Sequence, residues 1–121
     1  MACTEPELSS KFLACVRAFN AHDKTIGGNL APNVTITTIR THRIFSGIQA
    51  VEDHFDVQFQ QEQPNFDPGQ FGTSVNGTQG TVTGNGRWKD AETHGAFEPL
   101  RYVFGFVCTN GSWLLSSGKS A

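Results

Sequence analysis

The side chains of this sequence that are best suited to chemistry lie in a few adjacent pairs, of which Asp53-His54 is the first. A histidine titrates near neutral pH and can act as a general base, a role that a nearby carboxylate can support. The segment has a helical pattern, however, and adjacent helix positions point about 100° apart, so the two side chains cannot form a simple dyad. His54 alone is therefore the candidate catalytic base. The alternative is a half-exposed surface histidine.

A second group of candidates lies on predicted strands and suits binding more than catalysis. Arg87 and Trp88 are adjacent, so they point to opposite faces of a sheet and one of them is expected to face the interior. An arginine there would bind a carboxylate; the alternative is an arginine at the sheet surface. Tyr102 and Phe104 would form an aromatic wall with one hydroxyl group, or belong simply to the core. Thr37 could supply a neutral hydrogen bond.

His22-Asp23 has a simpler explanation than catalysis. A histidine at the end of a helix interacts favourably with the helix dipole, and an aspartate can cap the next helix. The histidines, at positions 22, 42, 54 and 94, show no i,i+4 or H-x-H spacing. Neither a metal nor another cofactor is therefore predicted.

Composition argues against several classes of function. The 121 residues fit a single domain, residues 1–121, and with a net charge of −2 and no basic stripe we expect no nucleic-acid binding. No apolar run is long enough to span a bilayer, and the first residues lack the pattern of a signal peptide. The three cysteines are odd in number and form no CxxC motif. We therefore expect reduced thiols without a disulfide framework, and a cytoplasmic location.

The first half of the sequence predicts helices interrupted by one hairpin. Thr4 is a candidate N-cap of a helix that runs to about Ala21, and Asp23 can cap a weak second helix. A strand follows from Val34 to Arg40, since this run is rich in β-branched residues. After a turn and a short return strand, Ser46 is expected to cap a helix that continues through Gln61.

The second half is predicted to be strands after an irregular loop over Asn65 to Gly69. Two Asn-Gly pairs are typical of tight hairpin turns. The predicted strands are Phe71 to Val75, Gln79 to Asp90, Phe97 to Cys108 and Ser112 to Ser117. Helices on the concave face of a strongly bent antiparallel sheet give a cone-shaped α+β domain whose mouth can hold a small ligand.

Three segments, FLACVRAFNAHD, FSGIQAVEDHF and RYVFGFVCTNGSWLL, resemble the nuclear-transport-factor-2-like (NTF2-like) superfamily, which includes SnoaL-like cyclases and ketosteroid isomerases. They look like the first helix, the start of the long second helix and the closing hairpin of these proteins. The resemblance covers nearly the whole chain. It implies a cone-shaped fold and a homodimer packed through its sheets.

The last long predicted strand agrees with a dimer, because it is apolar on both faces. One face would cover the core, and the other is too apolar for water, so a partner sheet is expected there. The residues of the two faces are Arg101, Val103, Gly105 and Val107 on one, and Tyr102, Phe104, Phe106 and Cys108 on the other.

The resemblance also places unsuitable residues where the isomerases carry their catalytic groups. Thr38 falls on their general-base aspartate, Cys15 on their oxyanion-hole tyrosine and Phe104 near their oxyanion-hole acid. We therefore expect the binding of a small organic molecule in a mostly apolar pocket. One alternative is an isomerase, dehydratase or hydrolase that uses His54 or another pocket group. Another is a dimerisation module without a ligand. Whether the protein is an enzyme is left open.

Overall fold

The computed structural model describes residues 3–23, 28–38 and 42–120. Its helices are α1 (Glu5–Asn20) and α2 (Ile48–Gln61), and its strands are β1 (Leu30–Thr37), β2 (Ile44–Ser46), β3 (Asn65–Asn76), β4 (Gln79–Lys89), β5 (Glu98–Thr109) and β6 (Ser112–Ser120). The strands form a six-stranded sheet in the order β2-β1-β6-β5-β4-β3. The pairing is antiparallel except between β1 and β6. The helices pack on one face of this curved sheet, which confirms the α+β prediction.

Helix α1 begins as its sequence predicts. The side chain of Thr4 accepts a hydrogen bond from the backbone N–H of Glu7 at 3.3 Å, and a proline lies in the first turn. One stripe of the helix is buried against the sheet; it comprises Leu8, Phe12, Cys15 and Val16. The stripe has the spacing of an amphipathic helix, and α1 packs mainly against β3, with further contacts to β4 and β6.

Strand β1 begins at Leu30, earlier than predicted. Leu30 pairs with Leu115 of β6, and the register shifts before Thr35. Pro32 lies in that irregular stretch, where a residue without a backbone N–H is tolerated. The weak second helix that was predicted after Asp23 would fall mostly on residues 24–27, which lie outside the described residues.

Helix α2 begins after a glycine, and Ser46 is not its cap. Gly47 has a φ of 90°, and its N–H donates to the carbonyl oxygen of Val34 at 2.7 Å. Ser46 is the last residue of β2, where it pairs with Thr35. The chain therefore turns from strand to helix through a positive φ, which glycine adopts at little cost.

The predicted loop over residues 65–69 is wrong, because β3 already starts at Asn65. Asp67 pairs with Arg87 and Gln70 with Asn85, so a bulge at Pro68 and Gly69 lies opposite Gly86. Prolines are tolerated in edge strands and at bulges, and β3 is an edge strand.

The side-chain amide of Asn20 fixes the start of β3. It donates to the carbonyl oxygen of Phe66 at 2.8 Å and accepts from the N–H of the same residue at 2.7 Å. The end of α1 is thereby joined to the sheet edge.

The closing hairpin has the predicted turn, whereas the earlier one is displaced by one residue. Asn110 and Gly111 form the loop between β5 and β6, both with positive φ, as a type I′ turn requires. Between β3 and β4 the loop is Gly77-Thr78, since Asn76 pairs with Gln79.

The expectation of three reduced thiols is also wrong. Cys3 and Cys108 form a disulfide with their Cα atoms 6.0 Å apart, and Cys15 is a free, buried thiol. The residues before α1 run across the end of β5, and the indole N–H of Trp113 donates to the carbonyl oxygen of Thr4 at 2.9 Å. The cytoplasmic location was expected because the thiols were expected to be reduced. The disulfide removes that reason, and the location remains an untested prediction. Among the described residues, no helix combines the length and apolarity that a membrane span needs.

Candidate functional site

A cavity of about 130 Å³ lies between the two helices and the inner face of the sheet. Its walls are mainly aromatic and aliphatic side chains from α1, α2 and the central strands. The lining residues are Phe12, Cys15, Val16, Phe19, Ile36, Thr37, Thr38, His54, Phe55, Gln58, Phe66, Trp88, Leu100, Tyr102, Phe104, Phe106, Leu115, Gly118 and Lys119. These range from fully buried to exposed, so the cavity reaches from the core to the surface.

One wall is a cluster of rings contributed by α1, β3 and β5. Phe12 stacks on Tyr102 at a centroid distance of 5.7 Å and lies 5.6 Å from Phe104. Phe66 meets Tyr102 edge to face at 5.0 Å. The structure thus places both predicted wall residues, Tyr102 and Phe104, in the cavity lining. It also shows that the even-numbered face of β5 is the inner one.

The hydroxyl group of Tyr102 is already engaged. It donates to the carbonyl oxygen of Pro68 at 2.7 Å, at the bulge of β3. Burial raises the pKa of Tyr102 to about 12, with a smaller contribution from the carboxylate of Asp67. The phenol therefore stays protonated and fixes the wall, and its ring rather than its hydroxyl faces the cavity.

Trp88, and not Arg87, is the member of its pair that enters the cavity. Arg87 lies outside, where its guanidinium pairs with Asp67 at 2.6 Å and stacks over Phe97 at 4.5 Å. Its side chain is 58% exposed, so the predicted binding role for Arg87 inside the pocket is corrected. The Arg87 hydrogen bond, assisted by the N–H of Gly69, lowers the pKa of Asp67.

A buried carboxylate holds Trp88 in place. Oδ2 of Asp90 accepts from the indole N–H at 2.8 Å, and Oδ1 accepts from the backbone N–H groups of Glu92 and Thr93 at 2.9 and 3.0 Å. Asp90 is only 4% exposed. The sequence reasoning did not single out this aspartate. Its spacing of two residues from a tryptophan, before a turn, was the available signal.

His54 lies in the cavity wall, half-buried, with its ring parallel to that of Phe45 at 4.3 Å. Burial lowers the pKa of His54, and the nearby Arg43 guanidinium lowers it further, so the imidazole is neutral at pH 7. Its ring nitrogens make no hydrogen bond to any described part of the chain. Asp53 is exposed and accepts from the side chain of Gln49 at 2.8 Å, in agreement with the predicted absence of a dyad.

Gln58, Thr37 and Thr38 are further polar residues of the cavity lining. Gln58 follows one turn later on α2, and sequence reasoning missed it, although its i+4 spacing from His54 was a signal. Thr37, which was predicted to supply a neutral hydrogen bond, lies in the lining at the end of β1. Thr38 follows it and accepts from the backbone N–H of Arg43 at 2.9 Å.

Neither a protein-family model nor a curated protein matches the sequence, but solved structures match the fold. An NTF2-like protein of unknown function from Pseudomonas putida KT2440 has a TM-score of 0.84 at 15% identity, over 97% of this chain and 84% of that one. This chain has the NTF2-like fold.

Two other matches have the same fold at similarly low identity. A protein with a cystatin-like fold from Caulobacter vibrioides has a TM-score of 0.82 at 9% identity, covering 96% and 87% of the two chains. An epoxide hydrolase/cyclase-like enzyme with a role in pyran ring formation in polyether salinomycin has a TM-score of 0.70 at 16% identity, covering 96% and 90%.

The fold brings together the three residues that fall at the catalytic positions of the isomerases. Cys15, Thr38 and Phe104 all line the cavity. None supplies a carboxylate. Burial raises the pKa of the Cys15 thiol to about 11, an effect that Lys11 partly offsets, so it stays protonated. Among the described residues, no Asp or Glu lines the cavity. The site is therefore an apolar cavity with His54 as its weakly basic side chain.

His22 makes structural contacts away from the cavity. It lies two residues after the end of α1 with a φ of 54°, and its Nε2 lies 3.0 Å from the carbonyl oxygen of Pro64. Its ring stacks on Phe59 at 5.0 Å, outside the cavity lining. Within the described ranges, no three His, Cys, Asp or Glu side chains are grouped so that they could hold a metal ion.

Proposed function

We propose that this NTF2-like protein binds a small organic molecule with an apolar body in the cavity between its helices and sheet. The observation that carries the proposal is the cavity itself, about 130 Å³ with mainly aromatic and aliphatic walls. Most ligand sites are larger, at roughly 300–1,000 Å³, but an apolar cavity of about 150 Å³ is known to bind benzene. A ligand of about one ring is therefore the expected size.

Toluene is a suitable probe, because it has one ring and no polar group. Its titration should produce saturable chemical-shift changes in the backbone amides of α1 and β5, followed by nuclear magnetic resonance. Cys15→Leu should abolish them, since the larger side chain fills part of the cavity, whereas Cys15→Ala should preserve them. If toluene leaves the spectrum of the wild type unchanged up to its solubility limit, the proposal that this cavity binds a ligand is wrong.

An enzymatic function is the second candidate, and His54 is the observation that favours it. A neutral, half-buried imidazole beside an apolar cavity is suited to general-base catalysis. The epoxide hydrolase/cyclase-like neighbour indicates that the fold can support such chemistry. The reaction would be an isomerisation, dehydration or hydrolysis in which His54 takes up a proton. His54→Phe should then abolish turnover while toluene still binds, whereas turnover that survives this change would exclude His54 as the base.

The proposal includes a homodimer that packs through the outer face of the sheet. Val103 and Val107 lie on the outer face of β5, and Leu114 of β6 is directly opposite Val107. All three are only half-buried within one chain. They form an apolar strip at the centre of the sheet, which a second copy of the chain would cover.

A further inference from the structure

We propose that the ligand of this cavity is a small aromatic acid whose carboxylate is held at His54 and Gln58. This inference rests on the proposed binding function, which the walls of the cavity support without it. The walls define the body of the ligand, whereas its polar group is defined by the side chains that have hydrogen-bonding capacity to spare.

His54 and Gln58 are those side chains. They are one turn apart on the same face of α2, both line the cavity, and both are half-buried. Neither side chain makes a hydrogen bond to any residue that the structure describes. Among the other hydroxyl groups of the wall, that of Tyr102 donates to Pro68 and that of Thr38 accepts from Arg43. Thr37 lies on β1 and not on this face of α2.

The geometry suits an acceptor with two oxygens. The imidazole can donate through one ring nitrogen, and the amide group of Gln58 donates through its NH₂. Two donors one helical turn apart match a carboxylate, which accepts at both oxygens. A ligand with a single hydroxyl group would leave one of them without a partner.

The charges around His54 favour an anion. The Arg43 guanidinium lies 5.3 Å from the ring centroid of Phe45, on which His54 stacks, and it is close enough to lower the pKa of that histidine. The described groups that face His54 from the other elements carry no negative charge, because the thiol of Cys15 is protonated and no described carboxylate lines the cavity.

The remaining charged residues near this wall lie elsewhere. Asp53 is exposed and bonded to Gln49. Asp56 is two positions from His54, on another side of the helix. Lys119 belongs to the cavity lining, but it pairs with Val103 of the outer face, so strand alternation directs its side chain away from the cavity.

Binding of a carboxylate should be coupled to uptake of a proton. His54 is neutral in the free protein, and a carboxylate beside it favours the imidazolium form, which raises the pKa of the histidine in the complex. Affinity for an acid should therefore increase as pH falls through the pKa of the complex. Affinity for an uncharged analogue should not change.

Benzoate and benzamide are the matched probes, since they share size and ring and differ in charge. Calorimetric titration between about pH 5.5 and 8 keeps benzoate ionised. At pH 6 we expect benzoate to bind about tenfold more tightly than benzamide, with the ratio falling towards pH 8. His54→Phe retains a ring that stacks on Phe45, and it should remove both the preference for benzoate over benzamide and the pH dependence of that preference. Gln58→Leu and the exposed variant Arg43→Met should reduce the preference, and the control Gln60→Leu should not.

The outcomes separate this inference from the proposed function. Benzamide binding as tightly as benzoate at pH 6, or a preference unchanged in all three variants, would overturn the carboxylate site and leave binding of an apolar ring intact. Binding of none of the three probes, toluene included, would overturn the proposed function itself. If His54→Phe does not fold, as judged by circular dichroism, Gln58→Leu and Arg43→Met still decide the question.

Discussion

At the residue scale, Asp90 is a buried carboxylate with both oxygens in use. One oxygen accepts from the indole of Trp88, and the other accepts from two backbone N–H groups of the turn that follows β4. Bonds to a charged acceptor are stronger than bonds between neutral groups. This carboxylate thus couples the shape of a surface turn to the position of a ring in the cavity wall.

Asp90→Ala should therefore lower the free energy of unfolding by about 2–4 kcal/mol, because three buried or partly buried donors lose their acceptor. Asp90→Asn retains one acceptor oxygen and should lose less. Urea unfolding measures both values, and Glu98→Ala at an exposed position is the control. A loss below about 0.5 kcal/mol for Asp90→Ala would mean that water replaces the carboxylate.

The alternation of side chains along a strand allowed the part of the cavity lining that lies on β5 to be predicted from the sequence. Tyr102 and Phe104 share a face, and both are in the wall. The same rule could not decide between Arg87 and Trp88, because it separates two faces without saying which one the helices cover. Gln58 was missed because a glutamine on a helix is usually exposed, and only the three-dimensional position of His54 makes it significant.

At the element scale, β3 illustrates why local signals failed. Two prolines and a glycine within residues 64–69 are typical of a loop, yet the segment is a strand. The pairing with β4, the bulge and the Asn20 amide together stabilise it. These contacts join residues distant in sequence, so no local pattern indicates them. The closing hairpin was predictable because its turn residues are adjacent to its strands.

A substitution at Gly86 tests the bulge of β3 at the scale of the element. A Cβ atom added at Gly86 would meet the backbone of Asp67 and Pro68, which cannot move without breaking the register of β3. Gly86→Ala should thus cost about 1–3 kcal/mol of unfolding free energy. Gly72→Ala is the matched control, because the space around Gly72 is open. Equal melting temperatures for the two variants would contradict the bulge geometry.

At the scale of the whole molecule, the disulfide joins two segments 105 residues apart in sequence. With three cysteines, the sequence leaves three pairings open, and only the fold brings Cys3 onto the end of β5. The bond anchors the start of α1, the helix that supplies Phe12, Cys15 and Val16 to the cavity. The disulfide therefore supports the site as well as the start of α1.

In the proposed dimer, the outer face of the sheet is the contact surface between the two copies. Val103 lies near its centre, between Thr83 of β4 and Lys119 of β6. Val103→Glu would bring two carboxylates together across a dimer axis, where burying unpaired charges costs several kcal/mol. In the monomer the new carboxylate remains in water beside Lys119, so the fold should persist.

Sedimentation at micromolar concentration should therefore show the wild type at twice the chain mass of 13.2 kDa and Val103→Glu at that mass. Val57→Glu carries the same change at a position on α2 that is already 51% exposed, and it should remain dimeric. A wild-type chain that sediments as a monomer would exclude the sheet dimer. If Val103→Glu remains dimeric, the two copies meet through another surface, and the apolar strip of Val103, Val107 and Leu114 has no role in assembly.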